Sequence, residues 1–335
     1  MRVKILGSAA GGGFPQWNCA CANCQRVRAG KFHGRARSQT QLAFTTNSKV
    51  WFLLSASPDL RAQIIAAPEL SPNRASSASA RMGVPVAAVP APPAVESPIG
   101  GVFLPSADVD SVAGLLHLRE FQSFFVFATP SVQSALQKEN RVFRVLDRAE
   151  PPVKWVRLSS KGRLGCHLEE DPGSTPEFLC TTVPMGGCYP DYVSEELRRT
   201  LVAEEATSAF VIHKGDKKIF YAPAIPADTK TANGHSGAWT SWIENSDAAF
   251  VDGTFWSDDE LIKTGRSKKT ARQIGHVPLS GPGGMLEQYP KNVKGRKILI
   301  HINNTNPILD EDSPQHRAVL DAGFEMAYDG MELEL

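Results

Sequence analysis

Residues 101–120 read GVFLPSADVDSVAGLLHLRE, and this stretch indicates the fold class of the chain. Its apolar start, residues 101–104, predicts a short buried strand. A turn that carries Asp108 and Asp110 follows, and the apolar residues of 112–118 then recur at helical spacing. A strand, an acidic turn and a helix in succession are typical of layered α/β folds, whose functional sites gather at the ends of strands.

Strand and helix patterns continue on both sides of this stretch. Further strands are predicted at residues 3–6, 50–54, 209–213, 218–222, 248–251 and 298–302. Helices are predicted at residues 59–67, 131–139, 194–204, 260–264 and 314–322. The strands outnumber a simple β-α alternation. The pattern therefore favours a four-layer αββα sandwich of mixed sheets over a doubly wound parallel sheet.

The composition is that of an ordinary folded chain of 335 residues, with 42% apolar and 21% charged side chains. The 36 basic residues balance 35 acidic ones, which argues against nucleic-acid binding through a broad basic surface. No apolar run approaches the roughly 18 residues of a transmembrane helix. Residues 1–7 lack the apolar core of a signal peptide. We therefore expect a cytoplasmic protein with no nucleic-acid or membrane partner.

One segment differs from the rest of the chain in composition. Residues 68–100 contain seven of the 24 prolines, together with many alanines and serines. This composition predicts a loop insertion within a single domain that spans residues 1–335. The sequence is also compatible with a homodimer.

A glycine-rich turn, residues 7–13, follows the first predicted strand and reads GSAAGGG. Its spacing departs from both GxGxxG and GxxxxGK[ST], and residues 14–17 do not begin a helix that could hold a phosphate. We therefore interpret these glycines as allowing close backbone packing or as leaving room beside a neighbouring site.

Three of the six cysteines, Cys19, Cys21 and Cys24, lie within six residues. Three thiols this close cannot all pair with one another, whereas thiolates from a single turn can hold one zinc ion. A fourth ligand would leave no open position, so the predicted zinc is structural. Free or redox-active thiols are the alternative. The other three cysteines are interpreted as ordinary core or surface thiols: Cys166, Cys180 and Cys188.

Polar residues lie at the ends of three predicted strands. Asp108 and Asp110 follow the first, Asp252 the second and His301 the third, while His276 lies in a turn. Two histidines and a carboxylate with open positions are typical of non-haem iron sites, and zinc hydrolases use such groups to activate water. Helix capping by Asp110 and a hydrogen-bonded core position for His301 are simpler alternatives.

Several long segments resemble the protein B family of pyrroloquinoline quinone (PQQ) biosynthesis, which has a metallo-β-lactamase fold. The matching segments are residues 3–24, 55–64, 108–120, 220–224, 251–260, 275–287, 299–314 and 324–335. They run nearly from end to end, and the divergent parts are residues 68–101 and about 121–192.

The resemblance implies an αββα fold with a structural zinc on Cys19, Cys21 and Cys24. By analogy with phosphodiesterases of this fold, Asn304 takes the position of the fourth zinc ligand. The resemblance also implies an oxygenase that uses Fe(II) and O2. Its substrate would be a small, tyrosine-derived or peptide-derived intermediate of the quinone pathway, which it hydroxylates.

The chain departs from the family at one position of the metal motif. The wider fold carries HxHxDH, and the PQQ family keeps the final Asp-His pair. Here residues 106–111 read SADVDS, so Ser111 replaces the last histidine. A hydroxyl group is a poor substitute for imidazole toward Fe(II).

The remaining candidate iron ligands are Asp110 and His301, with His276 or Asp108 compensating for the missing histidine. Asp252 would orient a ligand or handle protons. Two alternatives stay open. The chain could be a non-catalytic member that binds or carries a quinone, a peptide or a partner, or it could be a hydrolase.

Overall fold

The computed structural model describes residues 1–72, 97–120, 123–148, 152–160, 162–167, 176–227, 239–289 and 293–335. Most of the predicted insertion at 68–100 lies outside these residues. At its borders the structure has a 3-10 turn, Pro68–Leu70, and a strand that begins at Ile99.

Within the described residues, fourteen strands form two seven-stranded sheets. The first sheet contains β1 (Arg2–Gly7), β2 (Gln41–Thr45), β3 (Trp51–Leu54), β4 (Ile99–Phe103), β5 (Phe125–Ala128), β6 (Lys154–Arg157) and β14 (Glu332–Glu334). The second contains β7 (Arg163–Cys166), β8 (Phe178–Gly186), β9 (Thr207–Lys214), β10 (Lys217–Ala222), β11 (Ala248–Asp252), β12 (Arg296–Ile300) and β13 (Glu325–Met326). Their spatial orders are β14-β1-β2-β3-β4-β5-β6 and β13-β12-β11-β10-β9-β8-β7.

Both sheets are mixed, and each has a parallel half. Strands β3 to β6 are parallel in the first sheet, and β10 to β13 are parallel in the second. The carboxyl ends of parallel strands meet at one edge of a sheet. The ends of β11 and β12 therefore lie side by side, with Asp252 opposite Ile300 in the register.

Short helices connect and cover the sheets. The α-helices are α1 (Ala22–Arg28), α2 (Leu60–Ala66), α3 (Val109–Val112), α4 (Pro130–Ser134), α5 (Glu195–Arg198), α6 (Trp239–Glu244), α7 (Glu260–Lys263), α8 (Met285–Gln288) and α9 (Pro314–Asp321). The 3-10 segments are Pro68–Leu70, Ala113–Leu118, Arg141–Arg148, Ala203–Glu205, Arg272–Ile274 and Pro307–Leu309, and Ala135–Glu139 is a π-helix. No helix in the described parts of the chain is both long enough and apolar enough to span a membrane.

The layer between the two sheets is rich in aromatic side chains. Phe52 of the first sheet packs edge-on against Phe178 of the second, with ring centroids 4.8 Å apart. Phe103 and Phe210 make a second contact between the sheets at 5.7 Å. Full burial of such a side chain contributes about 1.5–3 kcal/mol, so this layer holds the two sheets together. Two of the unassigned cysteines, Cys166 and Cys180, belong to this layer, and Cys188 is exposed.

Separate apolar clusters cover the outer faces of both sheets. Leu53 and Val126 of the first sheet share a cluster with Leu60 of α2. Val211 of the second sheet shares a cluster with Val319 of α9. Three apolar layers separate four layers of secondary structure, and the predicted αββα fold is confirmed.

The predicted helix at 194–204 is wrong over its second half. The α-helix ends at Arg198, and the backbone amide and hydroxyl of Thr200 both donate to the Leu197 carbonyl. Val202 is extended before the next 3-10 turn. Local hydrogen bonds from Thr200 thus compete successfully with continuation of the helix.

Candidate metal centres

The three clustered cysteines come together at the start of α1. Cys21 is the N-cap residue, Cys24 lies in the first turn, and Cys19 precedes them in a loop. Their sulfur atoms all lie within 4.8 Å of one another. Cys19 and Cys24 are buried. Because thiolates bind zinc at about 2.3 Å, the three sulfurs are close enough to share one ion.

Asn304 is buried against this cluster. Its Nδ2 atom lies 3.3 Å from Cys24 Sγ and 3.7 Å from Cys21 Sγ. In this orientation the amide donates to the sulfurs. Rotation of the amide by 180° would present its oxygen instead, and the hydrogen-bond network alone decides between the two orientations. The structure thus brings Asn304, which the sequence predicts as the fourth ligand, next to the cysteines.

Arg266 also reaches the cysteine cluster, a contact that the sequence did not indicate. Its Nη2 atom lies 3.1 Å from Cys19 Sγ. Burial would raise the pKa of Cys19, but hydrogen bonds from Cys21 and Cys24 and the Arg266 charge hold it below its usual value. Burial raises the pKa of Cys21 to about 11. Arg266 therefore favours the thiolate form that binds a metal.

Asn23 ties α1 to the loop at residues 301–306. Its Nδ2 atom donates to the backbone carbonyls of Asn304 and Asn306, at 3.2 and 3.1 Å. The cysteine cluster is therefore attached to the loop whose first residue is His301.

A second group of side chains of the types that bind metals lies at the ends of β11 and β12. It consists of Asp252, His276 and His301, whose ligand atoms lie within 4.8 Å of one another. Asp252 is the last residue of β11, and His301 follows β12 directly. The two imidazole rings stack with centroids 5.4 Å apart. Three of the residues singled out in the sequence are thus brought together.

Every acceptor position of Asp252 is occupied. Oδ1 accepts from the backbone amide and the hydroxyl of Thr254, at 3.0 and 2.6 Å. Oδ2 accepts from the Ile225 amide at 2.9 Å and from His276 Nδ1 at 2.8 Å. A carboxylate offers about four acceptor sites, so Asp252 has none left for an ion. It is placed to orient His276 instead.

Asp252 is also held in its ionised form. It is fully buried, which would raise its pKa, but the charge and hydrogen bond of His276 and the hydroxyl of Thr254 hold that pKa below its usual value. A metal-binding imidazole usually donates its second ring N–H to a carboxylate, a carbonyl or water. Asp252 is placed as such a partner beside His276 Nδ1.

His301 joins this group to Asp110. The His301 Nε2 atom lies 3.0 Å from Asp110 Oδ2. Removal from water opposes ionisation of both groups. The hydrogen bond and the charge attraction between Asp110 and His301 outweigh this desolvation effect. They lower the pKa of Asp110 and raise that of His301. Two ligands bound at about 2.1 Å and at a right angle lie about 3.0 Å apart. The spacing of His301 Nε2 and Asp110 Oδ2 is therefore compatible with a shared cation as well as with a shared proton.

The backbone of His301 is left-handed, with φ +56°. This conformation ends β12 at Ile300, two residues before the predicted strand end, and few residues other than glycine adopt it. Such strain persists where the surrounding structure enforces it, and it gathers at functional sites.

Capping does not account for Asp110. The N-cap residue of α3 is Asp108, whose side chain makes no capping bond, and Asp110 lies within the helix. Asp108 accepts a hydrogen bond from Ser106 Oγ at 2.7 Å. Burial and the nearby Asp110 charge raise the pKa of Asp108 to about 6.

The glycine-rich turn runs beside Asp110. Ala9 forms a β-bridge with Ile302, the residue after His301. A Cβ atom on Gly11 would lie 3.3 Å from Asp110 Oδ2, closer than most side chains tolerate. Gly11 thus leaves room beside the Asp110 carboxylate. This agrees with the interpretation that the glycines of the turn leave room beside a neighbouring site.

Known proteins share both the fold and the sequence of this chain. The family model for the beta-lactamase superfamily domain matches residues 50–302. Coenzyme PQQ synthesis protein B from Azoarcus sp. (strain BH72) is 37% identical over all of both chains. The chain belongs to the coenzyme PQQ synthesis protein B family. The protein of that name from Methylorubrum populi is 36% identical, again over both full lengths.

Solved structures agree with this assignment. Zn(2+)-bound PqqB from Methylobacterium extorquens is 34% identical, covers both chains completely and superposes with a TM-score of 0.81. A diphosphatase of the PhnP family shares the fold alone, at 16% identity and a TM-score of 0.60, with 100% of this chain and 98% of the diphosphatase covered. The family resemblance of the sequence motifs is confirmed.

Ser111, the departure from the family motif, lies half-buried in α3 next to Asp110. Its carbonyl accepts from the Ala56 amide, which ties α3 to the loop after β3. The turn at 106–111 therefore offers carboxylates and hydroxyls but no imidazole.

Glu260 is a buried acid that the sequence reasoning did not single out. Its Oε1 atom accepts from Thr305 Oγ1 at 2.5 Å, and its Oε2 atom accepts from the Trp256 amide at 2.7 Å. It joins α7 to the loop that carries His301. Burial raises its pKa from 4.5 to about 7.

This shift predicts a pH dependence of stability. Between pH 4.5 and 7 the folded state holds the Glu260 proton and the unfolded state does not, so the free energy of unfolding falls as pH rises. The loss amounts to about 3 kcal/mol. Glu260→Gln should remove this loss in urea unfolding measured across the range. Glu204→Gln, at an exposed position, serves as the control. Parallel pH profiles for wild type and Glu260→Gln would contradict the prediction.

Proposed function

We propose that the protein is an iron-dependent hydroxylase of PQQ biosynthesis that acts on a small, tyrosine-derived or peptide-derived intermediate. One observation carries the proposal: the His276 and His301 rings stack with centroids 5.4 Å apart, Asp110 Oδ2 lies 3.0 Å from His301 Nε2, and the Nδ1 atoms of the two imidazoles contact Asp252 and Thr254. Two histidines and a carboxylate are the ligand set of non-haem iron oxygenases. The names of the full-length relatives support the pathway.

The ligand atoms in this proposal are Nε2 of His276, Nε2 of His301 and a carboxylate oxygen of Asp110. Asp252 serves as the orienting partner of His276 because its own acceptor positions are filled. When bound, Fe(II) supplies the open positions at which O2 and substrate meet.

Asp108 is the proposed proton carrier. Its pKa of about 6 lies close to neutral pH, where a carboxyl group can both release and accept a proton. The Ser106 hydroxyl holds one of its oxygens at 2.7 Å. Gly11 keeps side-chain atoms away from the adjacent Asp110, which leaves space for a substrate group.

The cysteine cluster has a structural role in this proposal. Cys19, Cys21 and Cys24 would hold zinc, with Asn304 as the fourth ligand or as a donor to the thiolates. The Zn(2+)-bound relative supports a zinc ion in the family. The bond from Asn23 to Asn304 would transmit the rigidity of that site to the His301 loop.

Ser111 favours a second candidate function. With no imidazole in the turn at 106–111, the chain could be a non-catalytic member that binds or carries a quinone or a peptide in the same pocket. The two functions differ in whether the native chain binds iron.

Fe(II) titration of the zinc-loaded protein without oxygen separates these functions. The hydroxylase proposal expects a second metal equivalent in the wild type and tighter binding, by about tenfold or more, in Ser111→His. Ser134→His in α4 controls for an added histidine as such. If the wild type takes up no second metal and Ser111→His does, the hydroxylase proposal fails and the binding function is favoured.

A further inference from the structure

Strand β6 forms an edge of the first sheet. Among the described strands it pairs with β5 alone, in parallel. The amides of Lys154 and Leu158 donate to carbonyls on the β5 side, at 3.0 and 2.8 Å. Because the backbone groups of a strand point alternately to its two sides, the N–H and C=O groups of Trp155 and Arg157 point away from β5. The edge can therefore accept one further strand.

The 3-10 segment Arg141–Arg148 covers part of the outer face of the same sheet. With three residues per turn, Phe143 and Leu146 fall on one side of the segment, and both are buried in the apolar cluster that also covers β6. Val142 and Val145 fall on a second side, where they are 54% and 36% exposed. The segment thus leaves apolar groups uncovered on the outer face.

Five basic side chains belong to β6 and to this segment, and they are called the basic face here: Arg141, Arg144, Arg148, Lys154 and Arg157. All except Lys154 are exposed. None of them forms an ion pair with a described carboxylate, whereas an arginine nearby in the chain, Arg119, pairs with Glu120. Residues 138–163 contain eight basic and three acidic residues in a chain that is nearly balanced as a whole. The basic face thus carries cations that lack carboxylate partners.

We propose that β6 and the basic face bind an acidic, extended segment of a partner protein. The segment adds to the open edge as a further strand, and its backbone pairs with Trp155 and Arg157. Its carboxylates meet the arginines of the basic face, which suit carboxylate recognition through their planar pairs of donors. Its apolar side chains cover Val142 and Val145.

Both parts of the surface favour this occupant over others. The edge selects a polypeptide, because neither a nucleic acid nor a lipid offers N–H and C=O groups in strand register. Two copies of this chain that met through β6 would bring like charges together. The opposite edge of a second copy is a poor partner as well, since Glu332 of β14 is already bonded to Lys4 at 2.9 Å. The proposal requires neither of the two metals.

Fluorescence anisotropy with labelled twelve-residue peptides tests the proposal on the full chain. We expect a peptide of alternating Glu and Val to bind saturably, and to bind severalfold more weakly when salt rises from about 50 to about 300 mM. A Lys–Val peptide should bind about tenfold more weakly or worse. So should a Glu–Pro peptide, because proline has no backbone N–H. No saturable binding of the Glu–Val peptide, or equal binding of either comparison peptide, would overturn the proposal.

Charge reversal tests the role of the basic face. We expect Arg141→Glu/Arg144→Glu to weaken binding of the Glu–Val peptide by about tenfold or more. Arg61→Glu/Arg317→Glu makes the same change in net charge at exposed positions of α2 and α9, and it should bind within about twofold of the wild type. Circular dichroism checks the fold of both variants. Equal losses in the two variants would overturn the proposal.

Hydrogen exchange locates the bound peptide. The amides of Trp155 and Arg157 should exchange more slowly in the complex, because they gain backbone partners. Unchanged exchange at β6 would overturn the proposal. So would tighter binding of duplex DNA or of anionic phosphatidylglycerol vesicles than of the Glu–Val peptide, or self-association of the chain that Arg141→Glu/Arg144→Glu abolishes.

Discussion

Replacement of Cys24 by serine is expected to release a zinc ion from each chain and to lower the free energy of unfolding by several kcal/mol. Cys24 is fully buried, and its sulfur belongs to the cluster with Cys19 and Cys21. The binding energy of a structural zinc, about 10 kcal/mol or more in small zinc peptides, contributes directly to folding. The three apolar layers should keep the rest of the chain folded. The loss should therefore be smaller than that figure.

The effect should extend beyond the cysteines. Asn304 contacts their sulfurs, and Asn23 bonds the Asn304 carbonyl, so loss of zinc loosens the loop that begins at His301. We expect weaker Fe(II) binding as a secondary result. Elemental analysis and urea unfolding measure the primary effect. Cys188→Ser, at an exposed cysteine, is the matched control. Zinc retained in Cys24→Ser, or the same loss in both variants, would contradict a zinc site on these thiols.

Replacement of His301 by asparagine is expected to abolish the second metal site while leaving zinc in place. Asparagine tolerates the left-handed backbone at φ +56° better than most residues, so the loop should keep its path. The variant removes the imidazole that faces Asp110 at 3.0 Å. Loss of one of three protein ligands should weaken Fe(II) binding by about a hundredfold or more, beyond the usual cost of an outer-shell partner.

Anaerobic Fe(II) titration measures this loss, and circular dichroism checks the fold. His117→Ala, which removes an exposed histidine after α3, is the matched control and should bind Fe(II) as the wild type does. If His301→Asn binds iron with wild-type affinity, His301 is not a ligand and the proposed site is wrong.

The sequence predicted the elements of the site better than their roles. The strand ends at Asp252 and His301 could be identified because buried strands form continuous apolar runs, and parallel strands bring their ends together. The hydrogen bonds from Ile225 and Thr254 that occupy the acceptor positions of Asp252 could not be predicted, because Ile225 lies 27 residues away from Asp252 in the chain. Hydrogen-bond saturation is a tertiary property that residue spacing does not reveal.

The missed strands and contacts have similar causes. The pattern over β8 contains Pro184 and Gly186, which argue against a strand, although β7 and β9 pair with it on both sides. Helix α1 was missed because it begins within the cysteine cluster. Arg266 reaches Cys19 from 247 residues further along the chain. Such pairings depend on the assembled sheets rather than on local propensity.

We propose that the chain holds two different metals at two separate sites. The most direct measurement is elemental analysis of wild-type protein that has been loaded with zinc and then with Fe(II) without oxygen, and desalted. We expect a zinc ion and an iron ion per chain, with the iron absent from His301→Asn and the zinc retained there. Zinc alone in the wild type, or iron retained in His301→Asn, would contradict it.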